Sequence, residues 1–329
     1  MGVVRADAAA AATPSSGAGP ASHGAAQTGA AEAWLAAACG DALAQRASLE
    51  NFPVASRLLP ATLRADLGAL YGVARLIDEA GDSAPTGDRL VILDLLDADI
   101  GRLEAGTPRL PVLRDLLPAV RERRMSPAPL HDLVEANRQD QSISRYATFA
   151  DLHAYCRLSA DPVGRLVLDV LGLATPRRVR QSDQICTALQ IAEHLQDVGE
   201  DLLAGRVYLP QDSLARFGVG EATLAALADP VQAPRVPAAD RARVSALLAA
   251  EADRARGLLQ TGATLIGQIP GRARIAVAGF VAGGAAALDA VTAAGSNAVT
   301  RTPRPRPQRL LRHLATGLAT GGRVVGSRR

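Results

Sequence analysis

The chain has 329 residues, of which 48% are hydrophobic, 21% charged and only 3% aromatic. It is too apolar to be disordered throughout, shows no fibrous or disulfide-built periodicity, and is long enough for one large buried core or two modest ones. All 36 basic residues are arginine, and eight of them, with no acid, lie between Arg301 and Arg329, so the net charge of +3 leaves −5 for residues 1–300. A mildly acidic body argues against a nucleic-acid-binding domain, which would carry its basic residues on one face.

Residues 1–30 are mostly Ala, Gly, Ser and Pro with almost no large apolar residue. They lack the apolar stretch of a signal peptide and the arginines of a transit peptide, and read as a disordered leader. From Ala31 to about Val291 the pattern is helical, which predicts an all-α domain over residues 31–295. Leu63, Leu67, Leu70, Ala74 and Ile77 recur at three and four residues, as do Leu90, Leu93, Leu96 and Ile100. Alternating β-branched runs are absent. Turns are marked at Ser83–Gly87, Gly106–Pro108, Ser126–Pro127, Thr175–Pro176 and Ile269–Gly271. Cys39, Cys156 and Cys186 are odd in number and far apart, which gives neither a disulfide frame nor a zinc site and suits a reducing cytoplasm.

Ile275–Leu288 has no charge, but a membrane span takes roughly 20 residues, so this stretch is read as a buried core helix. Residues 296–329 form an Arg-rich tail, read as solvated and disordered apart from a short amphipathic helix. There Leu310, Leu311, Leu314 and Leu318 line one side and Arg309, Arg312 and His313 lie on the other. That helix suits either an anionic membrane surface at the inner face or docking on the domain; the sequence does not separate the two.

Two acidic clusters concentrate the chemistry. Asp78 and Asp82 are four apart near the end of a predicted helix, with Arg75 on the same face, and Glu193, Asp197 and Asp201 are likewise spaced by four. Like charges at this spacing repel by a few tenths of a kcal/mol per pair, a cost that a cation removes. One such pair is also what a solvated helix face looks like. Two of them on facing helices would make a metal–diphosphate clamp in a bundle core. An arginine fork beside the first cluster complements phosphate oxygens.

Arg75-x-x-Asp78-x-x-x-Asp82, Gln196-Asp-Val-Gly-Glu-Asp201 followed by Gly205-Arg-Val-Tyr-Leu-Pro210, and Tyr155-Cys-Arg157 followed by Ser159-Ala-Asp-Pro-Val-Gly164 resemble the squalene and phytoene synthase family, which joins prenyl diphosphates head to head. The resemblance runs from about Glu50 to Leu209 and continues more weakly to Val291. It implies a single-domain isoprenoid-synthase-like helical bundle with a central cavity. Glu50-Asn-Phe-Pro-Val-Ala-Ser56 followed by Leu58-Leu-Pro60 is further similar to the bacterial hydroxysqualene synthases of hopanoid biosynthesis. Those convert presqualene diphosphate and water to hydroxysqualene and diphosphate without NADPH. A presqualene diphosphate, squalene or phytoene synthase is the alternative within the family, and a dead helical scaffold the alternative outside it. The chain departs from the family pattern at Glu193 and Asp161, where Asn is more usual.

By this resemblance Asp78, Asp82, Asp197 and Asp201 hold about three Mg²⁺ ions, with Glu193 and Glu79 as lesser ligands, while Ser56, Arg57 and Arg75 hold phosphate oxygens. A mostly apolar cavity would shelter the cation left by ionisation, and Tyr155, Tyr146, Tyr71 and Phe52 are candidates to face it. Tyr155 leads because it matches the tyrosine of the motif. Gln190, one turn before Glu193, would orient the capturing water. His194 is off the acidic face, His131 and His153 have no partner in sequence, and all three read as structural or surface residues. Other enzymes of hopanoid biosynthesis are the implied protein partners, and no nucleic acid is expected.

Overall fold

The computed structural model describes residues 20–46 and 59–323, with side chains described from 27 to 42 and from 59 to 323. Phe52, Ser56 and Arg57 lie outside the described residues. Among those described, α-helices follow one another almost without interruption, and the only strand-like pairing is a single bridge between Arg145 and Val207.

Two apolar cores form, one from each half. The first is built by α1 (Pro20–Arg46), α2 (Ala61–Asp82), α3 (Arg89–Glu104), α4 (Pro111–Arg123) and α5 (Ala128–Gln139). Leu70, Leu76, Ile77, Leu93, Leu96 and Leu113 are buried in it, and Trp34 packs against it. Buried Asp99 ties the loop after α3 to this core by accepting the backbone N–H groups of Arg109 and Leu110 at 3.0 and 2.7 Å. The second core gathers α6 (Phe149–Ser159), α8 (Pro176–Gln196), α12 (Ala238–Ala263) and α13 (Ala273–Ala294), with the intervening short helices α9 (Val198–Leu203), α10 (Gln211–Phe217) and α11 (Glu221–Ala228). Between them runs α7 (Asp161–Val170), which sends Leu166 and Val170 into the first core and Leu168 into the second. Leu63 and Leu67 of α2 pack against both.

The helix ends follow from their sequences. Thr148 and Asp151 close a reciprocal capping box on α6. Thr175 accepts the Arg178 N–H at the start of α8, with Pro176 in the first helical position, where its missing N–H costs nothing. Gly218 takes a left-handed conformation after α10.

Three expectations change, and a fourth, the buried core helix at 275–288, holds over a longer span. Residues 20–30, assigned to a disordered leader, belong to α1, whose alanines are strong helix formers. Leu90 shares the spacing of Leu93 and Leu96 but is 51% exposed, because α3 only begins to face the core one turn later. The apolar stretch at 275–288 extends into the 22-residue α13, long and apolar enough to cross a membrane, yet it packs against α8 and α12, with Ala278, Ala282, Leu288 and Val291 buried. The tail is not free up to residue 323: α14 (Asn297–Thr300) and α15 (Pro307–Thr320) are packed on the body. Leu314 and Leu318 rest on Ile266 and Ala278, while Arg309 and His313 reach Asp289, each at 3.0 Å. Of the two readings left open for this helix, docking is the one that uses its leucines.

Candidate active site

A cavity of about 380 Å³ opens at the seam of the two cores. One wall is the C-terminal end of α2, which presents Arg75, Asp78 and Asp82; α5 presents Asn137 beside them. The helices approach closely here because residue 81 is glycine: a Cβ on Gly81 would stand 2.0 Å from the Asn137 side-chain oxygen. The opposite wall is the end of α8, with Gln190, Glu193 and His194, followed by Asp197 and by Asp201 of α9. The two acidic clusters, 119 residues apart between Asp78 and Asp197, thus face one space.

The second cluster does not sit on a straight helix. At Asp197 the backbone leaves the helical region (φ −104°, ψ 15°), while the bonds from Asp197 N to Glu193 O (2.9 Å) and from Asp201 N to Asp197 O (2.8 Å) persist. The result is a kink that re-aims Asp201.

Burial and mutual repulsion raise several of these carboxyls. Asp78 is reachable from the mouth but enclosed on its other sides; burial, then the Asp82 charge, pushes its carboxyl up to about 6. Burial and the Asp197 charge push Asp201 up to about 7, and one of its oxygens is buried without a hydrogen-bond partner. Burial likewise raises Glu193 and Asp197. Among the described residues no three His, Cys, Asp or Glu side chains converge on one metal position. An all-oxygen donor set with one Asp201 oxygen unpartnered still fits Mg²⁺, which is typically held by one or two carboxylates and completed by phosphate and water.

Two arginines counter the acids. Arg75 is held by Glu79 at 2.8 Å. Arg206, from the loop after α9, spans the cavity to Asp82 at 3.3 Å. The spacing of the sequence pointed to Arg75; Arg206 lay unassigned within the quoted Gly205–Pro210 motif.

An aromatic floor closes the cavity. Tyr146, Tyr155 and Tyr208 have ring centroids 5.3 to 5.9 Å apart. The Tyr155 hydroxyl donates to Asp140 at 2.8 Å and Tyr208 lies 3.4 Å from its other oxygen. Burial and this neighbouring carboxylate hold the Tyr155 phenol well above its usual range, so it stays protonated. His194 stacks on Tyr208 at 3.7 Å, 10° from parallel, and burial lowers its pKa to about 3. It is a neutral ring in the lining, where the spacing of the sequence had put it off the acidic face. His131 pairs with Asp97, and His153 stacks on Phe149.

Sequence reasoning gave no role to Asp140, Asn137 or Arg206; their signal is tertiary. Tyr146 sits behind the lining, and Tyr71, half-buried on α2, is not part of it. The cavity is also not mostly apolar: among its described lining residues only Leu133 and Ala136 are aliphatic. The close-packed carboxylates and arginines fill the space where a hydrocarbon lining was expected.

A model of the squalene/phytoene synthase family matches residues 45–311. The hydroxysqualene synthase of Sinorhizobium fredii is 38% identical over 186 residues, 56% of this chain and 62% of that one. The phytoene synthase of Mycobacterium tuberculosis is 33% identical over 67% of this chain and 70% of its own. The chain spans less than two thirds of the length of the curated hydroxysqualene synthases it matches. Among solved structures, squalene synthase HpnC from Alicyclobacillus acidocaldarius superposes with a TM-score of 0.70 at 35% identity, covering 82% of this chain and 99% of that one.

Proposed function

Because the chain belongs to the squalene/phytoene synthase family, we propose that it converts presqualene diphosphate and water to hydroxysqualene and diphosphate. The observation that carries this reading is the convergence of two acidic walls and two arginines on one cavity. Asp78, Asp82, Asp197 and Asp201, with Glu193 beside them, would hold about three Mg²⁺ ions. When bound, these draw charge from the departing diphosphate.

The remaining work falls to the chain. Arg206 and Arg75 bind phosphate oxygens, Arg206 leaving Asp82 as the anion arrives. The carbon–oxygen bond breaks with its electron pair on diphosphate, the cyclopropylcarbinyl cation rearranges, and water adds with loss of a proton. No reductant enters that balance. The ring faces of Tyr155 and Tyr208 lie along the cavity floor, where they lower the energy of a passing cation. Asp140 fixes their hydroxyls. Gln190, in the same lining, would orient the water. Glu79 holds Arg75. The polar lining takes the charged end of the substrate.

Supplying presqualene diphosphate and Mg²⁺ without NADPH to the purified chain should yield hydroxysqualene. Asp78→Ala and Asp197→Ala should each lower kcat/KM by about 100-fold or more, the loss of several kcal/mol of charge stabilisation. Product formed only from a pair of prenyl diphosphates would overturn the assignment in favour of a condensing synthase, a reading that the phytoene synthase relative supports. Undiminished turnover in both variants would overturn the site.

A further inference from the structure

Asp201 lines the cavity, and Asp197 lines both it and a second cavity of about 540 Å³ on the far side of α9, which Gln196, Gly199 and Glu200 also line. That side is covered by the segment from Ser296 to Pro303. The Gln196 amide donates to the Pro303 carbonyl at 2.7 Å, and the Thr302 hydroxyl donates to Glu200 at 2.6 Å. Gly199 meets the Val299 carbonyl so closely that a Cβ would stand 2.1 Å from its oxygen. The segment is itself fixed to the body at its start and in its interior. Ser296 N–H donates to Ser245 of α12 at 2.8 Å, and Thr300 donates to the Leu227 carbonyl of α11 at 2.7 Å. Ala298 and Val299 are buried.

A six-residue helix behind a kink has little stability of its own. Its direction is therefore set by what it rests on, and the strap meets it at Gly199 and Glu200 and meets the last residue of α8 at Gln196. We propose that Ser296–Pro303 is a positioning element of the active site: it sets the aim of Asp197 and Asp201, so that the C-terminal segment belongs to the metal-binding wall. Gln196 and Thr302 are positioning residues in this scheme and touch no substrate. The inference rests on the reading of Asp197 and Asp201 as metal ligands.

The test is Mn²⁺ binding to the full chain in the presence of inorganic diphosphate, followed by the EPR signal of the free ion. Partners that orient metal ligands typically contribute 10- to 100-fold in affinity, so Gln196→Ala and Thr302→Val should weaken Mn²⁺ binding by about 10-fold or more, with far-UV circular dichroism unchanged. Thr302→Ser, which keeps the hydroxyl, should restore it. Native Mn²⁺ affinity in Gln196→Ala and Thr302→Val, with binding lost in Asp197→Ala, would overturn the strap alone. Native affinity in Asp197→Ala would overturn the metal reading and the strap with it. A loss as deep in Thr302→Ser as in Thr302→Val, or one confined to variants that lose helical signal, also counts against it.

Discussion

Asp161 is a buried carboxylate, 2% exposed, that accepts a hydrogen bond from the Thr187 hydroxyl at 2.8 Å. Burial pushes its carboxyl up to about 7. In the unfolded chain it titrates near 4, so between those values the folded state keeps a proton that the unfolded state releases. Its contribution to stability is complete below about pH 4 and is lost as the pH rises through about 7. Asp161→Asn should therefore raise unfolding stability at pH 8 by on the order of 2 kcal/mol and leave it unchanged near pH 4. Denaturant titrations at the two pH values check this; equal effects at both would refute it. At this scale the sequence was legible where chemistry repeats at helical spacing, as in Asp78 with Asp82 and Asp197 with Asp201. It was silent on Asp140, Asn137 and Arg206, which reach the cavity through the packing of α5 and a loop.

Among the elements, apolar period located the helices, because each buries one face. It could not tell which neighbour would cover that face. The amphipathic C-terminal helix shows the difference: its leucines at 314 and 318 lie against Ile266, and Leu311 is 64% exposed. Leu314→Ala should accordingly cost about 1–2 kcal/mol in denaturant unfolding, below the range for a fully buried leucine, whereas Leu311→Ala should stay within about 0.5 kcal/mol. The reverse ranking would mean that α15 does not dock through this face. The kink at Asp197 was also beyond sequence spacing, which assumes a straight helix. The residues that flank it, Gln196 and Glu200, find partners about 100 positions away in the chain.

Over the whole molecule, two cores joined by α7 and by Leu63 and Leu67 leave a seam, and the charged cavity occupies it. An all-α bundle was readable from composition and period, but its division into two cores was not, since both halves carry the same helical pattern. The shared helix should make them unfold together, so the midpoints followed by tryptophan emission and far-UV circular dichroism should coincide. Separate midpoints would show that the seam divides the molecule energetically. The same layout sorts the chromophores. The single tryptophan, Trp34, belongs to the first core, while three of the four tyrosines meet beneath the cavity. The protein therefore has two separate spectroscopic channels, indole emission for the integrity of one half and phenol absorbance for events in the site, so occupancy and unfolding can be read in one cuvette without a label.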